Sequence, residues 1–244
     1  SVFSIDEDDS GYLWLGTYQQ GIVRFDPRTN QFARLGQLQR IPDALAQALV
    51  IELTVAEGRI VAGTADGLWL VAPGADRSQA SPLLPKQTIT SLLREPGGVL
   101  VASGMSVSRL RLDGTGPVFE PLDLPIRNYV DGLARDPAGT LWVATLAGVI
   151  EAPPDAAPRT ILPRRALSAS LPDAKLTDAL VDREGGLWLS TSGSGVAYLR
   201  PDWRSIELFE HDPLDAATLP AERMQAVAVC ADGSQWAISL AGDV

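Results

Sequence analysis

Cysteine, histidine and methionine are scarce in this chain: one Cys, one His and two Met among 244 residues. A lone cysteine excludes an internal disulfide, and the apolar run AVAVC around Cys230 reads as a strand in which the thiol is a small buried hydrophobe. A lone histidine leaves no second imidazole for a metal site. His211, in the segment from Phe209 to Asp215, reads as a turn residue bonding the nearby backbone. No run approaches the roughly 20 apolar residues of a membrane helix. No basic stretch followed by an apolar one stands at the start, so no signal peptide is visible. Positive charge is also in short supply, with 20 Lys and Arg against 30 Asp and Glu and no basic cluster longer than Arg164-Arg165. A surface of net charge −10 repels a phosphate backbone, which sets nucleic acid aside as a partner.

What the chain has instead is repetition, in a composition that is 45% hydrophobic and so able to bury a core. The unit is Asp8 to Asp26, DDSGYLWLGTYQQGIVRFD, read as a turn, a strand, a loop and a second strand. Its anchor Trp14 recurs as Val61, Leu100, Trp142, Trp188 and Trp236, in steps of 47, 39, 42, 46 and 48 residues. Three places before each anchor stands glycine: Gly11, Gly58, Gly97, Gly139, Gly185 and Gly233. Three places after it stands a hydroxyl: Thr17, Thr64, Ser103, Thr145, Thr191 and Ser239. A further glycine follows in five copies, as Gly21, Gly67, Gly148, Gly195 and Gly242, whereas the third copy has Ser106-Val107.

Repeats of this length and texture predict an all-β fold, a β-propeller of four-stranded antiparallel blades, with strands A to D numbered from the axis outward. The copies are expected at about 1–45, 46–86, 87–127, 128–173, 174–221 and 222–244, one propeller of some five and a half blades. In the first, A is Val2 to Ile5, B Leu13 to Thr17, C Ile22 to Phe25 and D Gln31 to Leu35; in the fifth, D is Ser205 to Phe209. Asp43 to Leu49 and Asp215 to Arg223 are candidates for short helical turns between copies. Because one small sheet cannot hide both faces, the large strand B residue is expected to wedge neighbouring blades apart, with Trp142 and Trp188 both buried. The sequence halts where the sixth strand C is due, and no spare strands precede the first. The expectation is therefore a piece of a longer ring, completed by the remaining blades or by another chain.

Candidate chemistry is thin. Asp6, Asp8 and Ser10 have the spacing of the first half of a calcium loop, but the twelfth position is Thr17 rather than a bidentate Glu, and an acidic hairpin turn explains the residues better. The recurrent hydroxyls lack a base within reach and are expected to make one structural hydrogen bond per blade. No cofactor or metal site is expected. The B–C loops differ where the rest repeats, and loops that vary on a rigid ring suit ligand contacts. Tyr18, Gln19 and Gln20, together with Asp66, Ser192 and Ser194, are the candidate ligand-binding residues, the first three fitting a sugar or another polar molecule.

The run Asp8 to Thr17 followed by Gly21-Ile22-Val23-Arg24-Phe25-Asp26-Pro27 resembles the two-component regulator propeller repeat, as do Asp136 to Thr145 and Asp182 to Thr191. The link from His211-Asp212-Pro213 to Leu219-Pro220 is similar to the one that precedes many such repeats. The second and third copies depart most, lacking the Trp and the acidic turn residue. The resemblance implies a non-catalytic sensor region of a bacterial membrane receptor, periplasmic or otherwise extracytoplasmic. It further implies seven-bladed rings, often in tandem, ahead of a β-sandwich, a membrane helix and a histidine kinase or diguanylate cyclase output, with carbohydrate fragments among the ligands. Two other classes stay open: a propeller enzyme of lyase or lactonase type, and a protein-interaction scaffold.

Overall fold

The glycine ahead of each anchor has a backbone reason. Gly11, Gly58, Gly97, Gly139 and Gly185 all lie at φ between 66° and 88°, where a Cβ is strained, and each closes the tight turn joining the first two strands of its sheet. A computed structural model describes residues 1–38, 40–72, 80–112, 116–146, 148–161, 175–192 and 195–201, together with the strands 224–229 and 235–239. Within it the chain divides into two compact units, Ser1–Arg200 and Pro201–Val244.

The first unit is a series of antiparallel sheets, each paired in chain order. The first sheet holds β1 (Val2–Glu7), β2 (Leu13–Thr17), β3 (Ile22–Asp26) and β4 (Gln31–Arg34). Two single-turn helices, α1 (Leu35–Leu38) and α2 (Asp43–Ala46), lead to the second, of β5 (Val50–Ala56), β6 (Arg59–Thr64), β7 (Gly67–Val71) and β8 (Ala80–Pro85). The third holds β9 (Ile89–Glu95), β10 (Gly98–Ser103), β11 (Ser106–Arg111) and β12 (Val118–Pro121), and the fourth β13 (Val130–Arg135), β14 (Leu141–Thr145), β15 (Gly148–Ala152) and β16 (Arg159–Ile161). Three strands of the fifth are described, β17 (Leu176–Val181), β18 (Leu187–Thr191) and β19 (Val196–Leu199). In the second unit β20 (Met224–Val229) pairs with β21 (Gln235–Ser239). This is the β-propeller fold. The expected fifth strand D, the turn Asp215 to Arg223, His211 and Cys230 lie outside the described residues.

Because side chains alternate across a strand, each sheet has two faces, and the cores form where the face of one sheet meets the next. Trp14 and Ile22 of the first sheet pack with Leu53, Val55, Ile60, Ala62 and Val71 of the second. Val61, Leu68 and Leu70, on the opposite face of the second, pack with Val99, Val101 and Leu110 of the third. Leu100, Ala102 and Val107 then meet Leu133, Leu141, Val143 and Ile150 of the fourth. In the first three sheets the anchor position thus faces the following sheet. Polar ties reinforce the stack. The Asp6 carboxylate accepts from the Thr54 hydroxyl and the Val55 amide, at 2.8 and 2.7 Å. Glu95, half-buried on β9, pairs with Arg109 of its own sheet and with Arg135 of the next.

Two features were not foreseen from the sequence. Each innermost strand slips register by one residue near its start, passing over Phe3, Ile51, Thr90, Asp131 and Thr177, and Gln225 in β20. A bulge of this kind re-aims the side chains that follow it. The burial of Trp188 also needs correcting. Trp14 and Trp142 are 2% and 3% exposed, but Trp188 is 39% exposed, its ring 4.5 Å from that of Tyr198. Leu180 and Val196 are exposed on the same sheet, so burial here does not follow from repeat position alone.

Candidate functional site

The end of the sheets that carries the B–C loops is held by a repeated hydrogen bond. The hydroxyls of Thr17, Thr64, Thr145 and Thr191 each donate at 2.8 Å to the carbonyl of the glycine across their loop, Gly21, Gly67, Gly148 and Gly195. That is the structural role expected of them. The third copy lacks the glycine and differs: Ser103 donates to Gln87 Oε1 at 3.2 Å, while Ser106 donates back to the Ser103 carbonyl. Each loop is also fastened to the segment entering an innermost strand. The Tyr18, Ala65, Leu146 and Ser192 amides donate to the Ser1, Leu49, Tyr129 and Lys175 carbonyls, and the Val130 amide donates to Gly104. The loops are therefore short and braced.

At the opposite end the acidic residue of the motif has a defined job. Asp8, Asp136 and Asp182 stand six places before Trp14, Trp142 and Trp188, and each spans its turn. One carboxylate oxygen accepts a backbone N–H, from Tyr12, Thr140 or Gly186. The other accepts the indole Nε1–H, at 2.7, 3.2 and 2.8 Å. The Asp8 carboxylate is thus committed to the hairpin, as the turn reading expected. The spacing of Asp to Trp was in the sequence, but only the three-dimensional pairing shows that the carboxylate ties the indole to the turn.

Of the candidate ligand residues, Tyr18 and Gln20 come together. They line an open cavity of about 380 Å³ with Val2, Leu15, Val23, Phe32, Arg34 and Gln37. The Phe3 and Tyr18 rings lie 6.4 Å apart, and Gln19 sits in the left-handed region at φ 62°. Asp66 is in the next loop, its backbone engaged with Thr64 and Lys86, and Ser192 is in the loop of the fifth sheet. Neither lines the cavity of Tyr18 and Gln20. Ser194 lies outside the described residues. Met105, in the B–C loop of the third sheet, and Tyr129 are 59% and 58% exposed at the same end, and of the two the sequence reading missed Tyr129. Tyr129 precedes an innermost strand rather than lying in a B–C loop, so the search for variable loops passed it over.

The innermost strands also carry carboxyls, on Asp6, Glu52, Asp131 and Asp178. Glu52 and Asp178 occupy the same place, the residue after the bulge in β5 and β17. Burial, with smaller contributions from the charges of Asp178 and Asp6, pushes Glu52 up to about 7. Burial also raises Asp178 and Asp131. Among the described residues no three His, Cys, Asp or Glu side chains come together as a metal site, and no helix is long and apolar enough to cross a membrane.

No family model matches the chain, and no curated protein is similar to it. Solved structures are. The extracellular domain of one hybrid two component system of B. thetaiotaomicron is 17% identical with a TM-score of 0.67, and that of a second is 16% identical with a TM-score of 0.68. Each match covers 98% of this chain and 32% of the other, so the chain spans about a third of their length. A gluconolactonase of Xanthomonas campestris is 19% identical with a TM-score of 0.59, over 83% of this chain and 73% of that one. Likeness at such identities establishes the propeller fold.

Proposed function

We propose that the chain is a ligand-sensing, signal-transmitting propeller from the extracytoplasmic part of a bacterial membrane receptor, and not itself a catalyst. The likeness to extracellular domains of hybrid two component systems over nearly the whole chain supports the receptor assignment. In this reading the parent ring has seven blades and the output domain lies elsewhere in the longer protein.

The observation that carries the ligand-binding half is the braced loop end with its exposed rings. Tyr18 and Tyr129 present aromatic faces from segments fixed by backbone hydrogen bonds, so little ordering entropy opposes binding. Flat rings with the amides of Gln19 and Gln20 suit a carbohydrate, which stacks a pyranose face and hydrogen-bonds its rim, and in this reading Asp66, Ser192 and Ser194 are its further polar contacts. A thermal-shift screen of oligosaccharides against the chain tests this. A saccharide that raises the melting temperature, with the rise lost in Tyr18→Ala and Tyr129→Ala, is the expected result. No response across the panel, with turnover of a lactone by the same protein, would move the assignment to the enzyme class.

A further inference from the structure

The connections leading into the innermost strands of the third, fourth and fifth sheets run against the charge of the rest of the chain. The protein carries 30 acidic against 20 basic residues. Yet Lys86, Arg127 and Lys175, all exposed, stand just ahead of Ile89, Val130 and Leu176, which pair with Ser103, Thr145 and Thr191 at the end bearing the B–C loops. Among the described residues of these connections and of the B–C loops of the second to fifth sheets, they outnumber the carboxyls, Asp66 and Asp123. Ion pairs among the described residues engage Arg28, Arg109, Arg111, Arg135 and Arg159, and none of these three cations.

The amides at this end are committed in one sense. The Tyr129 N–H donates to Asn128 Oδ1 at 2.9 Å, and the Ser103 hydroxyl donates to Gln87 Oε1 at 3.2 Å. Each bond engages the side-chain carbonyl and leaves the NH2 group for another partner. The exposed Tyr129 ring stands among these donors, on a backbone held between two B–C loops: the Leu146 amide donates to the Tyr129 carbonyl and the Val130 amide to Gly104. Asp131, two residues on, has its Oδ2 buried without a partner, and burial raises its pKa, so it opposes an anion less than an exposed carboxylate does. A neutral saccharide presents hydroxyls, which call for acceptors as well as donors. A pyranose bearing a carboxylate offers a flat face and an acceptor-only group together.

We infer that the rim around Tyr129, on the third and fourth sheets, is a subsite for an acidic saccharide: a uronate whose ring stacks on Tyr129 and whose carboxylate is bound by Arg127, with the Asn128 and Gln87 amides donating beside it. The inference rests on the carbohydrate reading above and names the class of sugar. Lys86 and Lys175, in the neighbouring connections, add to the local field that draws an anion to a chain of net charge −10.

Calorimetric titration of the chain with galacturonate, mannuronate and glucuronate oligosaccharides, each beside its methyl ester, tests this. The ester keeps the sugar and removes the charge. The acid is expected to bind about tenfold or more tighter than its ester, with that preference lost in Arg127→Gln and both forms lost in Tyr129→Ala. Added salt should weaken the acid and spare the ester. Arg127 is exposed and unpaired, so the unliganded Arg127→Gln protein should melt with the parent. Equal binding of acid and ester, or an acid preference that survives Arg127→Gln, overturns the inference and leaves the carbohydrate reading standing. Tighter binding of neutral oligosaccharides than of the acids does the same. No response to any saccharide removes both.

Discussion

Trp142 and Trp188 hold the same place in two sheets and make the same bond to an aspartate six residues back, yet one is 3% and the other 39% exposed. The hairpin motif is local and forms from its own residues. Burial depends on what lies against the sheet. Where Trp142 is sealed, its bond to Asp136 is shielded from water, whereas Trp188 shares its surface with solvent and with the Tyr198 ring.

The sharpest way to break this comparison is to truncate both rings. Trp142→Ala is expected to cost roughly 3–5 kcal/mol in urea melts, as core loss, and Trp188→Ala less than half of that. Equal costs would show that the two sheets are equally enclosed. A second test compares Glu52 with Asp178 at the shared position of the second and fifth sheets. The folded protein raises Glu52 to about 7, so its protonated form favours folding. The stability it contributes is complete below about pH 4.5 and is lost as pH rises through about 7. The loss is on the order of 2 kcal/mol, because some solvent screens the site. Glu52→Gln should flatten stability between pH 5 and pH 8, and an unchanged pH profile would mean that Glu52 is solvated. The smallest effect concerns the turn aspartates. Asp136→Ala should destabilise by about 1–2 kcal/mol, leaving the buried Trp142 N–H without its acceptor, and Asp182→Ala by less, since water reaches Trp188. Chemical denaturation of the pair measures both, and the reverse order would contradict the burial difference.

Much of the fold was legible because its signals are local. Glycine three places ahead of the anchor answers to a left-handed turn, and the hydroxyl three places after it to the loop-closing bond, so counting residues located both. The third copy even announced its exception, since Ser106 stands in the glycine's place and brings a hydroxyl of its own, which donates to the Ser103 carbonyl. The candidate site was legible only in part. Tyr18 and Gln20 were found in a varying loop, but Tyr129 belongs to another connection and only the stacking of sheets carries it to the same end. The inner-strand bulges left no mark in composition, because a register slip depends on how two strands meet.

Sequence alone determined the repeat, the strand order within each sheet and the Asp, Gly and Trp hairpin, since each is fixed by contacts within about 20 neighbouring residues. Tertiary structure decided which face of a sheet is covered, which tryptophan is dry, and that Glu52 feels the charge of Asp178 across more than a hundred residues of chain. Those outcomes depend on groups distant in sequence and close in space, where burial and Coulomb interactions act.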